Sequence, residues 1–275
     1  MASPEREEEL LERLLERVPK APEAVATAAA APALAQVEMQ RLVSNDLERL
    51  LDPAPLAAEC GWGWLADGCG YAASRVEMPG VRPEMIEWWF TWFPHHSLRY
   101  RIWHPRAHFA TELVREPTPA ASRSDRRTLP FWGAVHDSTE DVGFGRRRLR
   151  IRFVEPWKLG FPRDTLERPN VGLVSCAVVG EPRLGVEHTC LAHVFLRSPD
   201  DGLVLRSRFW IGAALRPYGP RLLGRLATPL LRRKLVRRVA IPRVAPRSLL
   251  LHCGEEFANL AAILPDLYTR FGRPS

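Results

Sequence analysis

Two segments far apart in the chain carry the residue types that a catalytic metal needs. Leu249 to Tyr268 reads LLLHCGEEFANLAAILPDLY and sets His252 and Glu256 four residues apart. On a helix that spacing puts an imidazole and a carboxylate on one face, within reach of a single cation. Arg99 to Phe109, RYRIWHPRAHF, adds His108 behind an aromatic-rich stretch. Imidazoles and carboxylates drawn from distant segments are how catalytic zinc or iron sites are assembled. The same residues have plainer readings, a surface i, i+4 pair and a satisfied core histidine. His104 precedes His108 by four, but Pro105 argues against a helix joining them, so His104 reads as structural. Glu255, rotated by about 100° around the helix from Glu256, reads as solvated. His95, His96, His136, His188 and His193 read as surface or packing residues.

The elements that must position these groups follow from periodicity. Glu5 to Val18 and Val37 to Leu51 carry leucines at helical spacing, separated by an alanine-rich, proline-broken passage from Ala21 to Ala35. They predict a small helical N-terminal domain over 1–70, whose apolar stripes pack on the rest of the chain or on a second copy in a homodimer. From 71 to 275 the pattern changes. YAASRVEMPG predicts a strand and turn, and RPEMIEWWFTWF a short aromatic helix that supplies core and one wall of a pocket. TLPFWGAVHDST, RRLRIRFVEP, VGLVSCAVVG and LGVEHTCLAHVFLRS read as strands, and LVLRSRFWIGAAL follows the turn Pro199-Asp200-Asp201-Gly202 as a hairpin arm. A final helix runs from about Pro246 to Phe271. Antiparallel strands closed by one long helix predict an α+β domain in which the sheet grips the helix and leaves a small-molecule cavity between them.

Composition narrows the function classes. At 275 residues the chain can bury a substantial core, and no apolar run approaches the length of a membrane span. The start, MASPEREEELLERLL, is acidic where a secretory signal would be basic and then apolar, which predicts a cytoplasmic protein. Five cysteines match no zinc-finger or CxxC spacing and read as reduced thiols. Net charge is +7, concentrated between Gly202 and Gly254, where a dozen arginines and lysines stand with no Asp or Glu. That stretch has leucines interleaved with the arginines. Pro220, Pro229 and Pro242 break it up, and no groove-reading motif or phosphate loop accompanies it. It reads as a solvated face that attracts acidic phenolate substrates, with no nucleic-acid partner and no integral membrane association.

In order along the chain stand WWFTWF, RYRIWHPRAHF, EDVG before RLRIRFVEPWKLGF, RSRFWIG and HCGEEFANLAAILPDLY. Taken together these segments resemble the diacetylphloroglucinol hydrolase family, which includes phloretin hydrolase-like enzymes. The resemblance runs over about Glu84 to Tyr268. It implies a helix-grip (Bet v 1/START-like) domain and a zinc-dependent hydrolase that splits an acyl group from a polyhydroxylated ring. It further implies zinc ligands at His108, His252, Glu256 and Glu140, with Asp141 as the alternative to Glu140. It implies that Tyr100 contacts and protonates a phenolic substrate oxygen beside a catalytic Glu140. Thr111 stands where the family has an amide side chain, and Phe209 and Trp210 where it has a second tyrosine; Thr111 and Trp210 are therefore the expected substrate contacts. Zinc would lower the pKa of a bound water from about 15.7 to about 7 or polarise the acyl oxygen. The competing class is a non-catalytic carrier of aromatic or lipid-like ligands, which would need the cavity and no metal.

Overall fold

The chain is described by a computed structural model over residues 4–117, 128–218, 228–231 and 233–272. Strands β1 (Gly61–Trp64), β2 (Gly70–Pro79), β3 (His108–Arg115), β4 (Val135–Glu140), β5 (Arg147–Val154), β6 (Val171–Glu181), β7 (Val186–Arg197) and β8 (Gly202–Pro217) form one sheet. Its order is β1-β2-β8-β7-β6-β5-β4-β3, and every neighbouring pair is antiparallel. The β7–β8 hairpin turns where the sequence places it. Asp201 takes φ 62 and Gly202 φ 117, values the Asp-Gly pair tolerates and most residues do not.

Helices α1 (Pro4–Leu14), α2 (Glu23–Ala30) and α3 (Ser44–Arg49) precede the sheet. Between β2 and β3 lie α4 (Pro83–Trp92) and α5 (Ser97–Arg101), and after β8 come α6 (Lys234–Ala240) and α7 (Ala245–Phe271). The long helix α7 buries Leu250, Cys253, Phe257, Leu260, Leu264 and Leu267, spaced three and four apart, as one stripe against the sheet. This is the expected helix-grip arrangement in an α+β chain.

Strand alternation divides the apolar residues between two cores. Facing α7 are Ala72, Leu173, Ala177, Leu191, Phe195 and Phe209, joined by Trp89, Phe90 and Phe93. On the opposite face Tyr71, Val174, Cys176, Cys190, Val194 and Trp210 pack under Met39, Leu47, Leu50 and Leu51. The segment before β1 therefore covers the sheet's outer face and also reaches α7. Leu11, Val25 and Ala29 enter the α7 core, and a Cβ on Gly254 would meet Val25 Cγ1 at 2.6 Å. Of the apolar stripes in this segment the leucines pack within the chain, while Val18, Val37 and Val43 stay exposed.

Two local expectations change. Val37 to Leu51 is not one helix but a single 3₁₀ turn, Gln36–Glu38, followed by α3. The helix is interrupted because Gln40 is drawn under the sheet. Its side-chain oxygen accepts from the Tyr71 hydroxyl at 2.5 Å and Arg208 Nε at 2.8 Å, and its carbonyl accepts from the Trp210 indole at 2.8 Å. Such tertiary bonds outweigh helix propensity, which is worth well under about 1 kcal/mol per residue. The alanine-rich passage, in turn, forms α2, held by Val25 on Gly254. Among the described residues no helix is long and apolar enough to cross a membrane.

Candidate metal centre

The centre is assembled where α5, the β3–β4 pair and α7 meet. After α5 the chain turns sharply at His104-Pro105, with the His104 carbonyl accepting from Ala107 N at 3.0 Å and His108 N at 2.9 Å. That turn starts β3 at His108, directly across from Glu140, the last residue of β4. An irregularity in register follows His108, and the extra residue, Phe109, packs its ring under the Arg146 guanidinium at 3.6 Å. Bulges of this kind re-aim a neighbouring side chain. Helix α7 contributes His252 and Glu256 on one face. Buried Asn259, one turn further on, donates to the carbonyls of Ile102 and Trp103 at 2.9 and 3.0 Å and so ties α7 to the segment that carries His104 and His108.

The four groups converge. His108 Nε2 and His252 Nε2 lie 3.3 Å apart. Glu140 Oε2 is 3.5 Å from each, and Glu256 Oε2 is 3.5 Å from His108 and 3.8 Å from His252. All four are buried. Four atoms bound at about 2.0–2.1 Å around a tetrahedral ion stand about 3.3–3.4 Å from one another, so these separations fit a single small cation. Among the described residues, His108, Glu140 and His252 are the group whose donor atoms all lie within 4.8 Å of one another, and Glu256 joins it through its distances to the two imidazoles. The tautomer of His108 is set as well. Its Nδ1 faces the Tyr100 carbonyl at 3.2 Å, which can only accept, leaving the Nε2 lone pair aimed at the centre.

Burial and close charges set the electrostatics of the cluster. Burial, then the nearby rings of His252 and His104, push the His108 pKa well below its usual value. Burial also works to lower His252, but the hydrogen bond to Glu140 and the charges of Glu256, Glu140 and Glu255 outweigh it and leave its pKa raised. Glu256 is pushed up to about 8, first by burial and then by Glu140, against the opposing pull of His252. The Tyr100 hydroxyl, beside Ser138 and Glu140, is held well above 10 by burial and by the Glu140 and Glu256 carboxylates, so it stays protonated. Its ring stacks flat on His108, with centroids 4.1 Å apart and planes at 3°.

Glu140, His108, His252, Glu256 and Tyr100 all border a cavity of about 390 Å³. Beyond them it is lined by Phe90, Phe93, Phe153, His136 and His193 and by aliphatic side chains that include Leu184, Leu231 and Ile241. Asp141 is set apart. Its carboxylate accepts from Gly143 N and Gly145 N, both at 2.9 Å, and shapes the turn after β4.

Several residues fall elsewhere than expected. Trp210 does not line the cavity; it points to the other face of the sheet, fully buried beneath Gln40, while Phe209 and Ile211 face the cavity. Thr111 is also absent from the cavity wall. Its hydroxyl lies 3.2 Å from Ser138 Oγ, so it reaches Tyr100 only through Ser138. Glu255 is not simply solvated. Its carboxylate pairs with His104 Nε2 at 3.0 Å, and the buried His104 ring lies parallel to His252 with centroids 5.0 Å apart. His136, His188 and His193 line the cavity, and burial lowers them to about 4, about 4 and about 3, so all three are neutral at neutral pH. His193 Nδ1 meets Ser207 Oγ at 2.8 Å. Inward strand parity would have been the sequence signal for His136 and His193. Nothing in the local sequence announces the His104–Glu255 pair.

Fold and centre together define a helix-grip protein with a buried imidazole–carboxylate cluster opening on an apolar cavity. The family described as the DAPG hydrolase PhiG domain matches residues 42–269, and the chain belongs to that family and is a hydrolase. It is 33% identical over 218 residues to a phloretin hydrolase of Eubacterium ramulus, covering 77% of this chain and 72% of that one. It is also 33% identical over 237 residues to a 2,4-diacetylphloroglucinol hydrolase of Pseudomonas protegens, covering 84% and 74%. Among solved structures it is similar to norcoclaurine synthase from Thalictrum flavum, with TM-score 0.36 and 11% identity over 75% of this chain and 91% of that one. A likeness that low carries nothing about chemistry.

Proposed function

We propose that this hydrolase cleaves the carbon–carbon bond between an acyl group and a polyhydroxylated aromatic ring, using one zinc ion held by His108, Glu140, His252 and Glu256. The observation that carries the reading is that the two imidazole Nε2 atoms lie 3.3 Å apart and each 3.5–3.8 Å from the carboxylates of Glu140 and Glu256, at the wall of the cavity. Two neutral imidazoles and two carboxylates balance the charge of Zn²⁺. The named relatives act on phloretin and 2,4-diacetylphloroglucinol, which supports a phenolic ketone as substrate. When bound, zinc supplies a water of lowered pKa and a Lewis acid for the acyl oxygen.

The chain's own residues account for the rest. Water's oxygen goes to the acyl carbon and gives a carboxylic acid; its hydrogen goes to the ring carbon, which an adjacent hydroxyl stabilises through the keto tautomer. Tyr100, kept protonated and lying beside Glu140, delivers or holds the proton at a phenolic oxygen, a role worth ~10²–10⁴ in rate. Glu140 accepts and returns protons at the centre. Phe90, Phe93 and Phe153 enclose the ring and exclude water, and His193, neutral and fixed by Ser207, offers a ring hydroxyl an uncharged partner. Thr111 and Ser138 set the Tyr100 hydroxyl rather than touch substrate. The described cysteines are free thiols, which supports a reducing, cytoplasmic compartment.

The test is product analysis with mono- and diacylphloroglucinols and dihydrochalcones. Release of one carboxylic acid per ring, abolished in His108→Ala, is expected. Turnover of none of these ketones by zinc-loaded protein would overturn the substrate class.

A further inference from the structure

Helix α6 is built inside out. Arg237 turns inward, buried, with its guanidinium donating to the Asp67 carboxylate at 2.7 Å and the Asp67 carbonyl at 3.2 Å. Ile241 follows it inward against Gly212. That anchoring leaves Leu235 and Val239, four apart on the opposite face, 74% and 81% exposed. Around them Leu230, Val244 and, from the β6–β7 turn, Leu184 are also exposed large apolar residues. Arg233, Lys234, Arg238, Arg243 and Arg247 are exposed beside them, and among the described residues none of the five forms a side-chain ion pair. No Asp or Glu occurs from Gly202 to Gly254 to neutralise them. The same rim is the cavity mouth, since Leu184, Leu231, Ala240 and Ile241 line the cavity.

We propose that this rim docks on an anionic lipid bilayer, with Leu235 and Val239 entering the acyl boundary and the five cations meeting the headgroups. A polyanion such as nucleic acid would use the cations but has no place for the aliphatic pair. A second copy would bring an equally basic face against this one, placing like charges together. A bilayer satisfies both features at once, as basic faces with aliphatic tips do in interfacial helices. Docking in this pose sets the cavity mouth at the acyl boundary, where apolar ligands partition, and makes the bilayer their reservoir. The inference requires no particular reaction at the metal centre.

Sedimentation with phosphatidylcholine vesicles, with and without phosphatidylglycerol, tests it. The holoenzyme should pellet with the anionic vesicles, less so as salt rises, and barely with phosphatidylcholine alone. The Leu235→Glu/Val239→Glu protein should partition at least roughly tenfold more weakly with its melting temperature unchanged. Wild type that stays in the supernatant at low salt, or a double variant that binds as wild type does, overturns the proposal. So does a lipid-free dimer abolished by the same substitutions, which would assign the face to a second copy.

Discussion

The two faces of the sheet bury large side chains for opposite ends. On the outer face Tyr71, Arg208 and Trp210 meet one glutamine, Gln40, which takes a hydrogen bond from each, and the space between is filled. On the α7 face the polar groups converge at one point, where burial pushes His108 down and Glu256 up while Glu140 and Glu256 hold His252 up against its own burial. On the packing face most polar atoms bond to one another, although the buried Arg208 Nη2 has no partner among the described residues, whereas on the α7 face they converge at the cavity wall. Phe209 and Trp210, adjacent in β8, mark the divide.

The most forceful way to break that contrast is to truncate both residues. Trp210→Ala should cost about 3–5 kcal/mol of stability, read as a fall in denaturation midpoint, with KM unchanged in the folded protein. Phe209→Ala should instead raise KM, because its ring faces the cavity. Equal effects of the two on KM would erase the distinction between the faces. Tyr100→Phe should lower kcat by about 10²-fold while zinc content stays at the wild-type level, since the lost hydroxyl serves the substrate and not the cation.

A pH series sharpens the comparison from the other side. Burial lowers His136 and His188 to about 4 and His193 to about 3. The folded form then refuses protons that the unfolded chain takes up below about 6.5. The stability these rings contribute is complete above that pH and is lost as pH falls toward about 4, at about 1.4 kcal/mol per pH unit for each ring. Urea denaturation of wild type and His193→Gln should show the variant with the shallower acid slope; identical slopes would remove His193 from the account. The smallest effect expected is that of Glu255→Gln. Glu255 pairs with His104, which stacks on His252, and its charge also bears on His252, so zinc affinity in a competition titration should fall about tenfold, at the lower end for outer ligand partners.

Much of this was legible beforehand, for reasons visible in particular residues. The last helix, expected from about Pro246, runs Ala245–Phe271 because its apolar stripe is unbroken and Pro265 does not stop it. The hairpin strands β6, β7 and β8 fall where alternation and the Asp201-Gly202 turn set them. Alternation does not say which parity faces the cavity when both faces are covered, and the resemblance that points to Trp210 does not say that its neighbour Phe209 is the one turned inward. Gln40 broke the expected Val37 to Leu51 helix through partners more than thirty positions away or across the sheet. Glu140 proved to be the end of a strand, and its separation from Asp141 rests on Gly143 and Gly145, whose amides claim the aspartate. The His104–Glu255 pair spans 151 positions and leaves no local pattern. Within the basic stretch, residues 219–227 and 232 lie outside the described residues; the remainder is a rim with apolar tips rather than a uniformly solvated face.

Metal content of purified protein, measured by plasma mass spectrometry on wild type beside His252→Ala, tests the central claim most directly. The account predicts about one zinc per chain in wild type and its loss in the variant. Wild type without stoichiometric metal, or a variant that keeps it, would contradict a centre built from His108, Glu140, His252 and Glu256.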